Sequence, residues 1–329
     1  MGPEPVRLGM VRLTDAAPLV WAYAQGMFAA AGVEVDLAVE PSWANVADKL
    51  SWGLLDGAVM LSPLAIAMSL GLRGKPTELI IPACVSLNGD AITLATHLAD
   101  PLLREGRPDP VEMAARLRPL LPLRLAVVHA FSTQELLLRL FLERGGIDPA
   151  ALAPFPVIPP ADMVDALAEG RIDGFCAGAP WGAVAAEAGV GRTIAVSSQI
   201  APDHPEKCLA IRRDWADANP ATLGAVLRAL DEAARACELF ANGPAVAGLL
   251  AEPDWIDVPA ALIESSLPGG QGGEVDRSRF ASTVPTVGQA QWLHREMARW
   301  RTLPDAALAR IIAMHRPDLH PAAMKLPMQ

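Results

Sequence analysis

Short apolar runs alternate with segments whose apolar residues recur at helical spacing, and this alternation occurs twice along the chain. Val6-Arg-Leu-Gly-Met-Val-Arg12 resembles Leu123-Arg-Leu-Ala-Val-Val-His129, an offset of 117 residues from Val6 to Leu123. Leu50-Ser-Trp-Gly53-Leu-Leu-Asp56-Gly57 resembles Leu167-Ala-Glu-Gly170-Arg-Ile-Asp173-Gly174 at the same offset. Each copy predicts a strand, then an apolar helix closed by glycine, Leu19 to Gly32 and Leu136 to Gly146. A second strand follows, Val35–Val39 and Phe155–Ile158, and then a second helix, Trp43–Leu50 and Ala161–Leu167. Ala58–Leu61 and Phe175–Ala177 supply the third strands. The reading is β-α-β-α-β twice, an α/β chain of two lobes, with units too long for a solenoid repeat.

In such units the strands run parallel and ligands collect beyond their carboxyl ends, where helix N-termini present unpaired N–H groups. The corresponding turns are Leu13-Thr14-Asp15, Glu40-Pro41-Ser42-Trp43 and Leu61-Ser62-Pro63 in the first copy. In the second they are Phe131-Ser132-Thr133, Pro159-Pro160-Ala161-Asp162 and Gly178-Ala179-Pro180-Trp181. Thr14, Ser42, Ser62, Ser132 and Thr133 therefore face an expected cleft, although a hydroxyl at such a place is commonly a plain helix cap. Residues 1–93 plus 194–329 are expected to form lobe one and 94–193 lobe two, with the crossings near Ala95 and Gly191. Beyond the repeat, Thr193–Val196 and Lys207–Ile211 read as strands, and Pro220–Ala241, Gln291–Trp300 and Asp305–His315 as helices.

Composition narrows the function. Of 329 residues, 52% are hydrophobic and 19% charged, enough for a sizeable core. Lys plus Arg number 27 against 37 Asp plus Glu, a net charge of −10, which disfavours nucleic acid as a direct partner. The Gly269–Gly273 run lacks the Lys-Ser/Thr of a phosphate-binding loop. The four cysteines stand singly, and no His, Cys, Asp or Glu pair recurs at ligand spacing in the turns, so neither a metal nor another cofactor is expected. Met1–Arg7 lacks the basic and apolar regions of a secretory signal, and no apolar run is long enough to span a bilayer. A cytoplasmic setting is the expectation, or a periplasmic one if a signal segment was removed.

Leu13-Thr-Asp-Ala-Ala-Pro-Leu19, Ser42-Trp-Ala44, Leu87-Asn-Gly-Asp-Ala-Ile-Thr93, Pro159-Pro-Ala-Asp-Met163, Gly174-Phe-Cys-Ala-Gly-Ala-Pro-Trp181 and His204-Pro-Glu-Lys-Cys208 together resemble one family. It comprises the nitrate- and bicarbonate-binding proteins of ABC transporters and their cytoplasmic cousins, nitrate/nitrite sensors of the NasS type. The likeness runs from about Val6 to Arg213. It implies a two-lobed type II periplasmic-binding-protein fold, with ligand contacts on Trp43, Asp90, Gln134, Pro160, Ala179 and Lys207. The family pattern carries Gln where this chain has Asp90, His where it has Gln134, and Glu where it has Ala179. His204 reads as a structural histidine. The leading expectation is a non-catalytic cytoplasmic sensor of a small oxyanion, signalling by lobe closure to an RNA-binding antiterminator protein. The alternatives are the substrate-binding component of an ABC transporter, partnered by its permease, and an enzyme of cofactor-precursor synthesis on the same fold.

Overall fold

The computed structural model describes residues 4–104, 106–271, 275–280 and 282–320; Gly272 and Gly273 of the glycine-rich run lie outside them. The alternating apolar residues of Val6–Val11 form β1, followed by β2 (Val35–Glu40), β3 (Gly57–Leu61), β4 (Leu79–Cys84), β5 (Asp90–Ala95), β6 (Leu125–Val127), β7 (Gly174–Gly178), β8 (Gly191–Val196) and β9 (Lys207–Arg212). They build two sheets of order β2-β1-β3-β9-β4 and β6-β7-β5-β8. In the first, β1 runs parallel to β2 and β3, while β9 is antiparallel to both β3 and β4. In the second, β6 is parallel to β7, and β5 is antiparallel to β7 and β8.

The repeat persists in register. Leu8 pairs with Gly57, and Leu125 pairs with Gly174. Arg7 closes on Asp56 through its backbone N–H (2.9 Å) and its guanidinium, and Arg124 closes on Asp173 in the same way (2.7 Å). The two glycines answer one steric demand. A Cβ on Gly57 would lie 2.2 Å from Ile211 Cδ1, and one on Gly174 would lie 2.7 Å from the Thr93 carbonyl. In each sheet an antiparallel strand passes too close for a side chain.

Two local expectations change. Phe155–Ile158 makes only a parallel bridge from Val157 to Val127. Pro154, Pro156 and Pro159 remove the N–H donors that a longer ladder needs. The Leu19–Gly32 helix is broken at Gly26, whose φ of 64° separates Ala17–Ala24 from Met27–Ala30. The apolar stretch from Gly57 becomes β3 and the helix Ser62–Leu70, every residue of which is buried.

The chain passes between the sheets before Asp90 and again between Val196 and Lys207. The expected cuts at 93/94 and 193/194 fall inside β5 and β8, because both strands pair along their length within the second sheet. The crossing segments run antiparallel to each other. Val85 N–H donates to the Lys207 carbonyl (2.7 Å), Glu206 N–H to Ser86 (3.0 Å) and Asn88 N–H to His204 (3.2 Å). The carboxyl ends of β1 and β7 meet across the divide. Thr14 N–H donates to the Ala179 carbonyl (2.9 Å), and Trp181 Nε1 donates to the Arg12 carbonyl (3.1 Å). Past the helix Val287–Trp300 of the C-terminal region, Arg301 reaches Glu135 on the second unit (3.0 Å).

Candidate functional site

Where the crossing segments meet the helix N-termini, polar side chains are buried together. The turn after β1 brings Asp15, and Asp90 opens β5 after a turn in which Asn88 and Gly89 take positive φ. Gln134 lies in the first turn of the helix Thr133–Arg144, and Trp43 opens the helix Trp43–Ser51. His204 and Glu206 precede β9, and Lys207 is its first residue, paired with Leu61 of β3. Asp90, Gln134, Glu206 and Lys207 have no solvent exposure, and Asp15, Trp43 and His204 almost none.

The network is dense. Lys207 Nζ lies 2.7 Å from Asp15 Oδ2, also binds Glu206 Oε1, and sits 5.4 Å from the centre of the Trp43 ring. Gln134 Nε2 donates to Asp90 Oδ1 (2.6 Å) and to Glu206 Oε1 (2.7 Å). His204 Nε2 and Asp90 Oδ2 stand 3.5 Å apart. Gly178 borders both acids: a Cβ there would lie 3.4 Å from Asp15 Oδ2 and from Asp90 Oδ1. Trp43 Nε1, Asp90 Oδ2, Gln134 Oε1 and Glu206 Oε2 are buried without a hydrogen-bond partner among the described residues. His204 stands beside the Asp90 oxygen and Thr133 beside Glu206, so the cluster holds more polar capacity than its own short hydrogen bonds use.

Three acids face one lysine and one histidine, and the titrations follow from that imbalance. Burial, reinforced by Glu206, pushes Asp90 up to about 7. Burial also raises Asp15, against the pull of Lys207. Burial opposes ionisation of Glu206, but Lys207 and His204 outweigh it and hold that carboxyl below its ordinary value. Burial works against the Lys207 ammonium too, yet Asp15 and Glu206 keep it charged to higher pH than a free lysine. His204, despite burial, is raised by Asp90.

Asp90, His204 and Glu206 offer ligand-type atoms within 4.8 Å of one another. The Gln134 amide occupies one oxygen of each acid, and the Lys207 ammonium stands on Glu206, so the group is knit by donors rather than gathered around a cation. Cys84, Cys176 and Cys208 are buried, which pushes their thiols up and away from thiolate chemistry.

Of the expected residues, Trp43, Asp90, Gln134 and Lys207 come together in this cluster, with Thr133 buried at the same helix start. The others hold the frame. Ser42 Oγ accepts from Asn45 N–H (3.3 Å), and Ser132 Oγ accepts from Glu135 N–H (3.0 Å), so both are helix caps. Ser62 Oγ donates to the Glu206 carbonyl (3.0 Å) and fixes that backbone. Thr14 Oγ1 accepts from Ser266 (3.1 Å), and Ala179 contributes the carbonyl that Thr14 N–H binds. Pro160 is buried at the start of a short 3₁₀ turn. Its neighbours Pro159 and Ala161, with Ser42 and Asn45, line an outer groove of about 360 Å³. Asp15, His204 and Glu206 were outside the expected set. Their signal was the stretch His204-Pro-Glu-Lys207, three of its four residues polar, leading into an apolar strand, and an acid in the turn after β1.

A family model described as the NMT1-like family matches residues 1–251. The chain belongs to that family. A nitrate/nitrite binding protein of Synechocystis, NrtA, is 30% identical over 95% of this chain and 74% of its own length. The crystal structure of the periplasmic nitrate-binding protein NrtA from Synechocystis superposes with a TM-score of 0.87 at 29% identity, covering 98% of this chain and 89% of the other. A nitrate import ATP-binding protein of Synechocystis, NrtC, is 34% identical over 95% of this chain but only 48% of its own length. The chain thus spans about half the length of the ATP-binding relatives it matches. The fold is that of the two-lobed periplasmic binding proteins, shared also with an alkanesulfonate-binding protein of Xanthomonas at 16% identity and a TM-score of 0.69. These relatives are transport or binding components by name. That favours the importer alternative over the cytoplasmic sensor, and neither the antiterminator partner nor the cytoplasmic setting finds support among them. No helix among the described residues is long and apolar enough to cross a membrane.

Proposed function

We propose that this chain is a non-catalytic solute-binding component of an ABC importer, taking a small oxyanion of the nitrate, nitrite or bicarbonate class between its two lobes. One observation carries the reading: a wholly buried ammonium, Lys207, at the junction of the sheets, beside the unpartnered Trp43 Nε1 donor. A fixed cation and an idle N–H in a dry site suit a planar anion with several acceptor oxygens. Clamping an ion between the lobes would consolidate the Thr14–Ala179 and Trp181–Arg12 contacts and present a permease with a closed surface. The relatives named for nitrate binding and nitrate import supply the ligand class, and bicarbonate joins it through the family likeness of the sequence motifs. A thermal-shift screen tests it. Nitrate, nitrite or bicarbonate should raise the melting temperature, and Lys207→Met should abolish the rise; stabilisation only by neutral or cationic metabolites, unchanged in Lys207→Met, would refute it.

A second reading has its own observation. A domain like this one makes up about half of relatives named as ATP-binding components, where it accompanies the ATP-binding part rather than standing alone. On that reading the same site senses the ion and adjusts a transporter. Ligand-dependent capture of an importer's ATP-binding subunit, with none of its permease, would favour it.

A further inference from the structure

The acids around Lys207 pose a problem for an anion. Lys207 is already matched by Asp15 and Glu206, and both donors of the Gln134 amide point at carboxylates. An incoming oxyanion would meet the carboxylate oxygens Asp90 Oδ2 and Glu206 Oε2, beside which stand His204 and Thr133. Adding a negative charge to a buried cluster already rich in acids is strongly unfavourable unless a positive charge enters with it.

We propose that the site binds its oxyanion together with one proton, held between Asp90 and the bound ion. The inference rests on the importer reading above and concerns the residue that selects among its ligands. Asp90 is the member placed to hold the proton. Asp15 and Glu206 each contact the Lys207 ammonium, whereas the nearest cationic group to Asp90 is His204 at 3.5 Å. Among the described residues its Oδ2 faces only His204 Nε2, at 3.5 Å, and at Gly178 the absence of a side chain keeps the backbone close to its other oxygen, Oδ1. The groups facing Asp90 from every side are His204 and Glu206 before β9, Lys207 on β9, Gln134 on its helix, Asp15 across Gly178 and Cys176 on β7. Asp276 stands behind, binding Ser197, whose Oγ accepts the Asp90 N–H (3.2 Å). Acids dominate that list, and burial with Glu206 already moves Asp90 towards neutral pH.

The proton has two possible sources. Nitrate carries none, so Asp90 must take it from solution and donate it to a nitrate oxygen. Bicarbonate brings its own O–H, which an ionised Asp90 accepts directly. With nitrate, an O–H bond forms on Asp90 from a solvent proton and breaks again when the ion leaves, returning that proton to solution; bicarbonate keeps its own O–H throughout, and only a hydrogen bond to Asp90 is made and broken.

Calorimetric titration of the full chain in buffers of differing ionisation heat separates these cases. Above about pH 8, nitrate should take up close to one proton per ion, and its Kd should rise roughly tenfold per pH unit. Bicarbonate should bind there with little uptake and little pH dependence. Asp90→Asn should flatten the nitrate profile, remove its proton uptake and cost bicarbonate at least about tenfold relative to nitrate, because Gln134 Nε2 holds the amide oxygen and turns the NH2, a donor, towards the bicarbonate O–H. Asp90→Gln, with the same neutral amide on a longer arm, should do likewise, and far-ultraviolet circular dichroism establishes that each variant is folded. Nitrate binding without proton uptake in the wild type, or uptake unchanged in Asp90→Asn, would overturn the proposal while leaving the importer reading intact. Absence of any oxyanion binding between about pH 6 and 9 would overturn both.

Discussion

Lys207→Met removes the ammonium that faces Asp15 and Glu206 and leaves an apolar side chain of similar length in a site without solvent exposure. Coulomb's law at an effective dielectric of about 20 gives roughly 6 kcal/mol for the Asp15 contact at 2.7 Å, before the cost of burying the ammonium is subtracted. Breaking a buried pair from one side typically costs about 3–5 kcal/mol, because the remaining charge stays buried and unpaired. For a chain of this size that corresponds to a fall of about 4–7 °C in Tm. The pH dependence has a definite sign. Without Lys207, Asp15, already raised by burial, rises further, and Glu206 loses the cation that holds it below its ordinary value and rises above its unfolded value. Folding then favours their protonated forms, so the deficit is largest above about pH 7 and shrinks towards pH 5. Differential scanning fluorimetry and urea denaturation across this range measure it. Adding Asp15→Asn should recover about 2 kcal/mol, a coupling that the double-mutant cycle reads directly. A Lys207→Met variant as stable as the wild type near pH 7.5, or a deficit that grows on acidification, would refute the reasoning.

Three further outcomes follow from the same geometry. Asp90, held near 7 in the fold, is protonated there while its unfolded counterpart is not, so its contribution to stability declines as pH rises from about 4 to about 7; Asp90→Asn should melt above the wild type near pH 8, with the gap closing by about pH 5 in a fluorimetry series. Trp43→Phe keeps the ring beside Lys207 but removes the idle Nε1 donor, so calorimetry should show nitrate affinity falling about tenfold with Tm unchanged or slightly higher. Gly178→Ala puts a methyl 3.4 Å from oxygens of both Asp15 and Asp90; circular dichroism should show an intact fold while titration shows nitrate binding weakened.

The repeat was legible because both copies solve one local problem. Arg7 with Asp56 and Arg124 with Asp173 tie a strand start to the turn before its partner, and the following glycine admits a neighbouring strand. Those constraints act over a few residues and leave a pattern in the chain. The second unit's boundaries were not legible, because β5 and β8 find their partners only through antiparallel pairings made after the chain has crossed. Within the candidate site, the turns could be placed from the sequence, but the separate contacts of their hydroxyls could not. Ser42, Ser62 and Ser132 look alike in sequence, yet two cap helices and the third fixes Glu206. Asp15, His204 and Glu206 read as ordinary polar residues because their burial depends on the two units closing over them, which no local pattern records.

On the reading proposed above, a buried lysine between two lobes receives a small oxyanion. A calorimetric titration of nitrate near pH 6.5, on the wild type and on Lys207→Met, addresses it most directly. One ion should bind per chain in the wild type and none in the variant. Undiminished nitrate binding by Lys207→Met, or a wild type that binds only neutral or cationic solutes, would contradict it.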